Sequence, residues 1–212
     1  MQLPSLFGKK SFLVFSITAL VSIVFSLIFI DPRSTVIFII IFLIGGFLGF
    51  KYVGDLKNGL TDIEELAFGF LLSGVLTYAW FLANAFAFDA NDLYYGSSSS
   101  LAFVYLFCGG LNGSDCVMWL FSNFGFLLHA LLVIALLTAL IAIFKLKDKG
   151  KLLPRFNILL SLLLIIVFST FLIMAGIKGI YGVLFNGLTV TFYSMLPTIL
   201  VLIGSLICIN KK

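Results

Sequence analysis

Six long apolar runs occupy most of this 212-residue chain, and they constrain its fold more than any motif does. A helix needs about 20 apolar residues to cross a hydrocarbon core roughly 30 Å thick. We therefore predict transmembrane helices at residues 11–30, 34–50, 66–88, 117–144, 156–177 and 188–209. None of the runs shows the alternation of a barrel strand. With 62% hydrophobic and 10% charged residues, the chain is predicted to be an all-α, polytopic integral membrane helix bundle, with residues 1–212 forming a single transmembrane domain.

The basic residues predict the orientation of this bundle, because cytoplasmic loops carry an excess of Lys and Arg. Six spans with both termini cytoplasmic leave only Arg33 and Lys178 on the outer face of a cell membrane. The other eleven of the thirteen cations fall on the inner face: Lys9, Lys10, Lys51, Lys57, Lys145, Lys147, Lys149, Lys151, Arg155, Lys211 and Lys212. The net charge of +4 then favours contact with membrane lipids. No basic stretch interleaved with aromatic residues indicates nucleic-acid binding.

The predicted external loop, residues 89–116, is longer than a minimal bundle requires. Cys108 and Cys116 bracket a glycine-rich stretch on the oxidising face, which predicts a disulfide, with free thiols as the alternative. Asn112 begins an Asn-Gly-Ser glycosylation sequon, which a glycosylating host could use. The extra length predicts that this loop has a functional role beyond connecting two helices.

His129 is the only histidine, and it is the only ionisable group near the centre of a predicted helix. One histidine without converging ligands predicts neither a metal site nor a haem cofactor. A neutral imidazole bonded to Asn84, Asn123 or a backbone carbonyl is the simpler interpretation. The alternative is a substrate contact or a pH-sensitive gate. Asp89 and Asp92, at the start of the external loop, are further candidate ligand-binding residues.

Small and mildly polar residues recur at helical spacing within three predicted helices: Thr18, Ser22 and Ser26; Gly45 and Gly49; Gly69, Ser73 and Thr77. Such stripes let helices approach closely, so they predict helix packing rather than a ligand path. Cys208 is interpreted in the same way, as a small apolar packing residue.

Two inner connections carry local signals. Thr61 and Glu64 match the capping-box pattern, which predicts a helix start at this point. The loop at residues 145–155 carries five cations and is interrupted by Gly150 and Pro154. It is predicted to be a solvated loop that sets topology, with docking of a partner membrane subunit as the alternative.

The run Phe107-Cys108-Gly109-Gly110-Leu111-Asn112-Gly113, placed externally before a long helix, resembles the cysteine loop of exosortases and archaeosortases. These are membrane enzymes that process C-terminal sorting signals. The resemblance implies that Cys108 is a nucleophile assisted by an arginine and a histidine. Lys178 stands near the arginine's external position, and no histidine follows. A thiol without a base is a poor nucleophile at neutral pH, which weighs against catalysis.

Other enzyme patterns fit less well. The chain contains no GxSxG elbow, HExxH motif or Walker loop. The predicted topology places Asp31 and Asp55 on opposite faces, whereas paired catalytic carboxylates must share a site. Three hypotheses remain. The first is a non-catalytic binding or transport component, similar in size and topology to the six-helix vitamin-binding subunits of energy-coupling transporters. The second is a structural subunit or assembly factor, and the third is a sortase-like cysteine enzyme using Cys108.

Overall fold

The computed structural model describes residues 10–29, 32–55, 59–92, 126–148, 150–177 and 181–210, with side chains described at 10–28, 33–55, 59–83, 130–148, 150–169 and 195–210. All regular structure within these ranges is helical, as predicted. The helices are α1 (Lys10–Phe29), α2 (Pro32–Gly54), α3 (Asp62–Asp92), α4 (Phe126–Phe144), α5 (Leu152–Ile177) and α6 (Tyr181–Asn210).

Four of these helices contain a stretch long and apolar enough to cross a membrane: Lys10–Ile28, Arg33–Gly54, Asp62–Ala83 and Leu152–Ser169. The searched parts of α4 and α6 add shorter apolar stretches, Ala130–Phe144 and Met195–Asn210. A chain whose described helices are this apolar is suited to a membrane location.

The helix α3 extends beyond the predicted span 66–88 at both ends. At its start, the backbone N–H of Thr61 donates to Glu64 Oε2 at 3.1 Å, and the N–H of Glu64 donates to Thr61 Oγ1 at 3.4 Å, which confirms the capping box. At its end, residues 89–92 are helical rather than part of the loop. Hydropathy marks where a helix meets lipid, whereas backbone hydrogen bonds decide where it ends.

The helix α5 begins at Leu152, so Pro154 lies inside its first turn instead of separating the loop from the helix. Proline is tolerated there because the first N–H groups of a helix have no partner inside it. A second proline, Pro197, lies inside α6, which nevertheless continues to Asn210. Neither proline ends a helix.

The helices alternate in direction, and one end of the bundle gathers the starts of α1, α3 and α5 with the ends of α2, α4 and α6. Lys10 of α1 bonds to Asp62 of α3 at 2.8 Å. The Tyr52 hydroxyl of α2 donates to the Phe144 carbonyl of α4 at 3.3 Å. We call this the basic end, because it carries six of the seven described cations: Lys10, Lys51, Lys145, Lys147, Lys151 and Arg155. Arg33 lies at the other end, at the start of α2.

The helix α3 lies at the centre of the bundle, in contact with α1, α2, α4 and α6. Its residues 71–78 are all buried. Glycines allow the neighbours to approach: Gly45 and Gly49 of α2 face Leu76 and Leu72, and Gly204 of α6 faces Leu71. Thr18, Ser22 and Ser26 of α1 are buried as well. The predicted role of the small-residue stripes in helix packing is therefore confirmed.

Candidate functional site

A cavity of about 500 Å³ lies at the basic end, between α4, the turn that follows it, α5 and α6. Its apolar walls include Ile141 and Ala142 of α4, Leu153 and Phe156 of α5, and Cys208 of α6. A volume between about 300 and 1,000 Å³ is typical of small-molecule sites, which are mostly apolar with a few placed polar groups. The cavity therefore has the size and lining of a ligand site.

The local sequence explains why the helices part here. After α4 ends, the N–H of Asp148 donates to the Lys145 carbonyl at 2.9 Å and turns the chain. Gly150 follows with open space around it. The helix α5 then packs along α6 far more extensively than along α4. The gap left between α4 and α5 at this end is the cavity.

The charges of the cavity lie at its mouth. Of the lining residues that the structure describes, Lys145 and Asp148 are the charged ones, and both are exposed. They have opposite signs and stand three positions apart across the turn. The first turn of α5, with Leu152, Leu153 and Pro154, also lines the cavity. A helix N-terminus presents unpaired N–H groups and the positive end of the helix dipole.

Cys208 is buried in the wall of this cavity. Its side chain packs among apolar residues, as the sequence predicts. A molecule bound in the cavity would lie beside it. Sequence reasoning identified the loop at 145–155 but not the cavity behind it. One sequence feature could have indicated the cavity. Gly150 and Pro154 lie where the chain reverses between two helices, and an apolar stretch lies on each side of them.

Polar residues deeper in the bundle join helices to one another. The hydroxyls of Tyr78 (α3) and Thr198 (α6) hydrogen-bond at 2.8 Å. The Thr35 hydroxyl of α2 donates to Ser26 of α1, also at 2.8 Å. In the part of the chain that the structure describes, no group of three His, Cys, Asp or Glu residues could hold a metal ion. These interior polar residues have a structural role.

Asn157 of α5 is a buried amide close to the cavity in sequence, one position beyond Phe156. Its Nδ2 lies 3.5 Å from the Thr138 carbonyl of α4. Its Oδ1 has no hydrogen-bond partner among the described residues. The Asn157 amide thus links α4 and α5 where the two helices come together. This residue was not identified from the sequence.

The external site predicted from the sequence falls mostly outside what the structure describes. Asn84, Asp89 and Asp92 lie in the second half of α3, and His129 lies near the start of described α4, but their side chains are not among those described. Asn112, Asn123, Cys108 and Cys116 lie outside the described residues altogether. The external ligand site, the disulfide, the glycosylation site and the sortase-like role of Cys108 therefore stay predictions.

Comparison of the chain with protein-family models, with curated proteins and with solved structures finds no match.

Proposed function

We propose that the chain is a six-span membrane protein with both termini in the cytoplasm, and that it is a non-catalytic binding or transport component of a cell membrane. Two features support the six spans: the alternating helix directions, and the six described cations at one end against one at the other. In membrane proteins, the face rich in Lys and Arg is the cytoplasmic face. The cavity then opens at the inner membrane–water boundary.

One observation carries the proposal for binding: the cavity of about 500 Å³ has apolar walls and has charges at its mouth. This arrangement suits an amphiphilic ligand, with its apolar part between the helices and its polar part at the boundary. A strongly polar ligand would lose its hydration against these walls without replacement hydrogen bonds.

The test is to fill the cavity and measure what stays bound. Native mass spectrometry of the purified chain should show a retained amphiphile, and Ala142→Phe should abolish its retention because the new ring occupies the cavity. Ile141→Trp is a second filling variant, because Ile141 also lines the cavity and its side chain is 45% exposed. Leu137→Phe, one turn away on the same helix at 49% exposure and outside the lining of the cavity, is the matched control. Equal retention by all four proteins would refute binding in the cavity.

A second candidate, a structural subunit of a membrane complex, is supported by a different observation. The apolar stretches of α1 and α2 are only 22% and 28% buried within the chain, so the α1–α2 hairpin offers a large surface to another membrane protein as well as to lipid. Copurification of a stoichiometric membrane partner that is lost when the outward face of this hairpin is substituted would favour this candidate. Retention of a ligand by the monomeric chain would favour the first.

A further inference from the structure

The lining of the cavity indicates which kind of amphiphile can bind there. This inference rests on the proposed function, since it concerns the same cavity. The walls contributed by Ala142, Leu153 and Phe156 are apolar, so they match a hydrocarbon chain. An acyl chain keeps an apolar environment between these walls, whereas a polar chain would lose its hydration there without replacement hydrogen bonds. The part of the ligand between the helices is therefore aliphatic.

The positive groups at the mouth match a phosphate. The Lys145 ammonium is a point charge of the kind that binds phosphate oxygens. The first turn of α5 lines the same cavity, where an anion is stabilised by the positive end of the helix dipole. Its candidate donors are the N–H groups of Leu152 and Leu153, because Pro154 has none and the Arg155 N–H donates to the Lys151 carbonyl. Basic pockets between transmembrane helices on the cytoplasmic side bind the phosphate groups of anionic lipid headgroups.

The negative group at the mouth matches a cation. The Asp148 carboxylate lines the cavity three positions after Lys145, and both side chains are exposed to the headgroup level. A headgroup with a second negative charge would be repelled by Asp148. A primary ammonium would instead donate charge-assisted hydrogen bonds to the carboxylate, which a trimethylated ammonium cannot do. The two charges together therefore select a zwitterion with N–H donors.

We propose that the cavity binds one molecule of a phospholipid whose headgroup carries both a phosphate and a primary ammonium. The phosphate lies against Lys145 and the first turn of α5, and the ammonium lies against Asp148. One acyl chain runs between α4 and α5 along Ala142 and Leu153. A membrane lipid is the occupant because the cavity lies at the end of the bundle that carries six of the seven described cations, the end that the proposed topology places at the inner membrane surface.

The experiment is a competition among three lipids with identical acyl chains: phosphatidylethanolamine, phosphatidylcholine and phosphatidylglycerol. The delipidated full chain in detergent receives an equimolar mixture, and native mass spectrometry counts the complexes. We expect phosphatidylethanolamine to be retained about fivefold over each competitor, the effect of roughly one charged contact at a membrane surface. Preferential retention of phosphatidylglycerol would overturn the zwitterion proposal.

Variants of the two mouth residues separate the two charges. Asp148→Asn should bring the ratio of phosphatidylethanolamine to phosphatidylcholine close to one, and Asp148→Glu should preserve it. Lys145→Gln should lower retention of all three lipids about fivefold. The matched controls are Asp55→Asn and Lys147→Gln, exposed residues of the basic end that do not line the cavity, and both should leave the ratios unchanged. An unchanged ratio in Asp148→Asn would overturn the role of the carboxylate.

The cavity-filling variants distinguish the choice of lipid headgroup from the proposal that the cavity binds a ligand. If Ala142→Phe and Ile141→Trp abolish lipid retention while phosphatidylethanolamine is not preferred, the cavity binds a lipid of another class and only the present inference is wrong. If lipid retention survives both substitutions in monodisperse protein, the lipid binds elsewhere and the proposed function is wrong with it. A retained species without a phosphate would likewise overturn the inference and leave the cavity as a binding site.

Discussion

The central helix α3 and the peripheral α1–α2 hairpin are built for different surroundings, although all three helices are long enough to cross a membrane. The spanning stretch of α3 is 72% buried inside the chain, against 22% for α1 and 28% for α2. Yet α3 is the least apolar of the three. In this bundle the more apolar stretches are the more exposed ones, whereas the interior combines large apolar side chains with small and polar residues.

The physical reason is that lipid tails are as apolar as leucine, so helices gain little by burying leucine against one another. What holds α3 in place is close approach and specific bonding. Trp80 donates its indole N–H to the Ser34 carbonyl of α2 at 3.0 Å, and Tyr78 bonds to Thr198 of α6 at 2.8 Å. The hairpin instead turns side chains such as Leu13 and Leu20 outward. Substitutions in α3 should therefore cost more than similar substitutions on the hairpin surface.

The largest difference is expected for aromatic truncation. Trp80 is fully buried, packs edge-on against Phe38 with ring centroids 4.8 Å apart, and bonds to Ser34. Trp80→Ala should lower the free energy of unfolding by ~3–5 kcal/mol, since it leaves a void and removes a buried hydrogen bond between α3 and α2. Phe47→Ala on the outward face of α2, where the ring is 64% exposed, should change it by less than about 0.5 kcal/mol. Equal losses in mixed-micelle denaturation would contradict the distinction between the two regions.

A smaller effect is expected from one added methyl group. A Cβ at Gly69 of α3 would stand 2.8 Å from the Ser11 Cα and 2.9 Å from its carbonyl oxygen, and backbone atoms cannot easily yield. Gly69→Ala should therefore lower the free energy of unfolding by about 1–3 kcal/mol through overpacking. Val24→Ile adds one methyl to an exposed position of α1 and serves as the control. A stabilised Gly69→Ala protein would show that α1 and α3 can separate freely.

Hydrogen bonds between α3 and α6 should contribute less than packing does. A double-mutant cycle of Tyr78→Phe and Thr198→Val measures the coupling of their hydroxyls. We expect about 0.6 kcal/mol, the average for hydrogen bonds between transmembrane helices. Strict additivity of the two single losses would mean that the bond contributes nothing to stability.

The smallest effect is expected at the surface of the basic end. The ion pair of Lys10 and Asp62 has side chains that are 56% and 81% exposed, so water and salt screen it. Asp62→Asn should lower the free energy of unfolding by less than about 0.5 kcal/mol, and the loss should shrink further in high salt. A loss as large as that of Trp80→Ala would place this pair among the interior contacts that hold α3.

The class of fold was predictable from the sequence because the length and composition of each apolar run are enough to predict a helix that can span a membrane. The capping box at Thr61 and Glu64 was predictable because its two partners lie only three positions apart in the sequence. The cavity was not, because Ala142 and Cys208 belong to helices far apart in the chain and meet only after the bundle forms. The extension of α3 to Asp92 was also missed, because hydropathy falls before the helical hydrogen bonds end.

The central claim is that the basic end, with its cavity, faces the cytoplasm, and thiol labelling in intact cells tests it most directly. In a background in which Cys108, Cys116 and Cys208 are replaced, single cysteines are introduced as Arg33→Cys and Lys147→Cys, at opposite ends of the bundle. A membrane-impermeant thiol reagent should label Arg33→Cys in intact cells and should label Lys147→Cys only after permeabilisation. Labelling of Lys147→Cys in intact cells, or of both positions from the same side, would contradict the account.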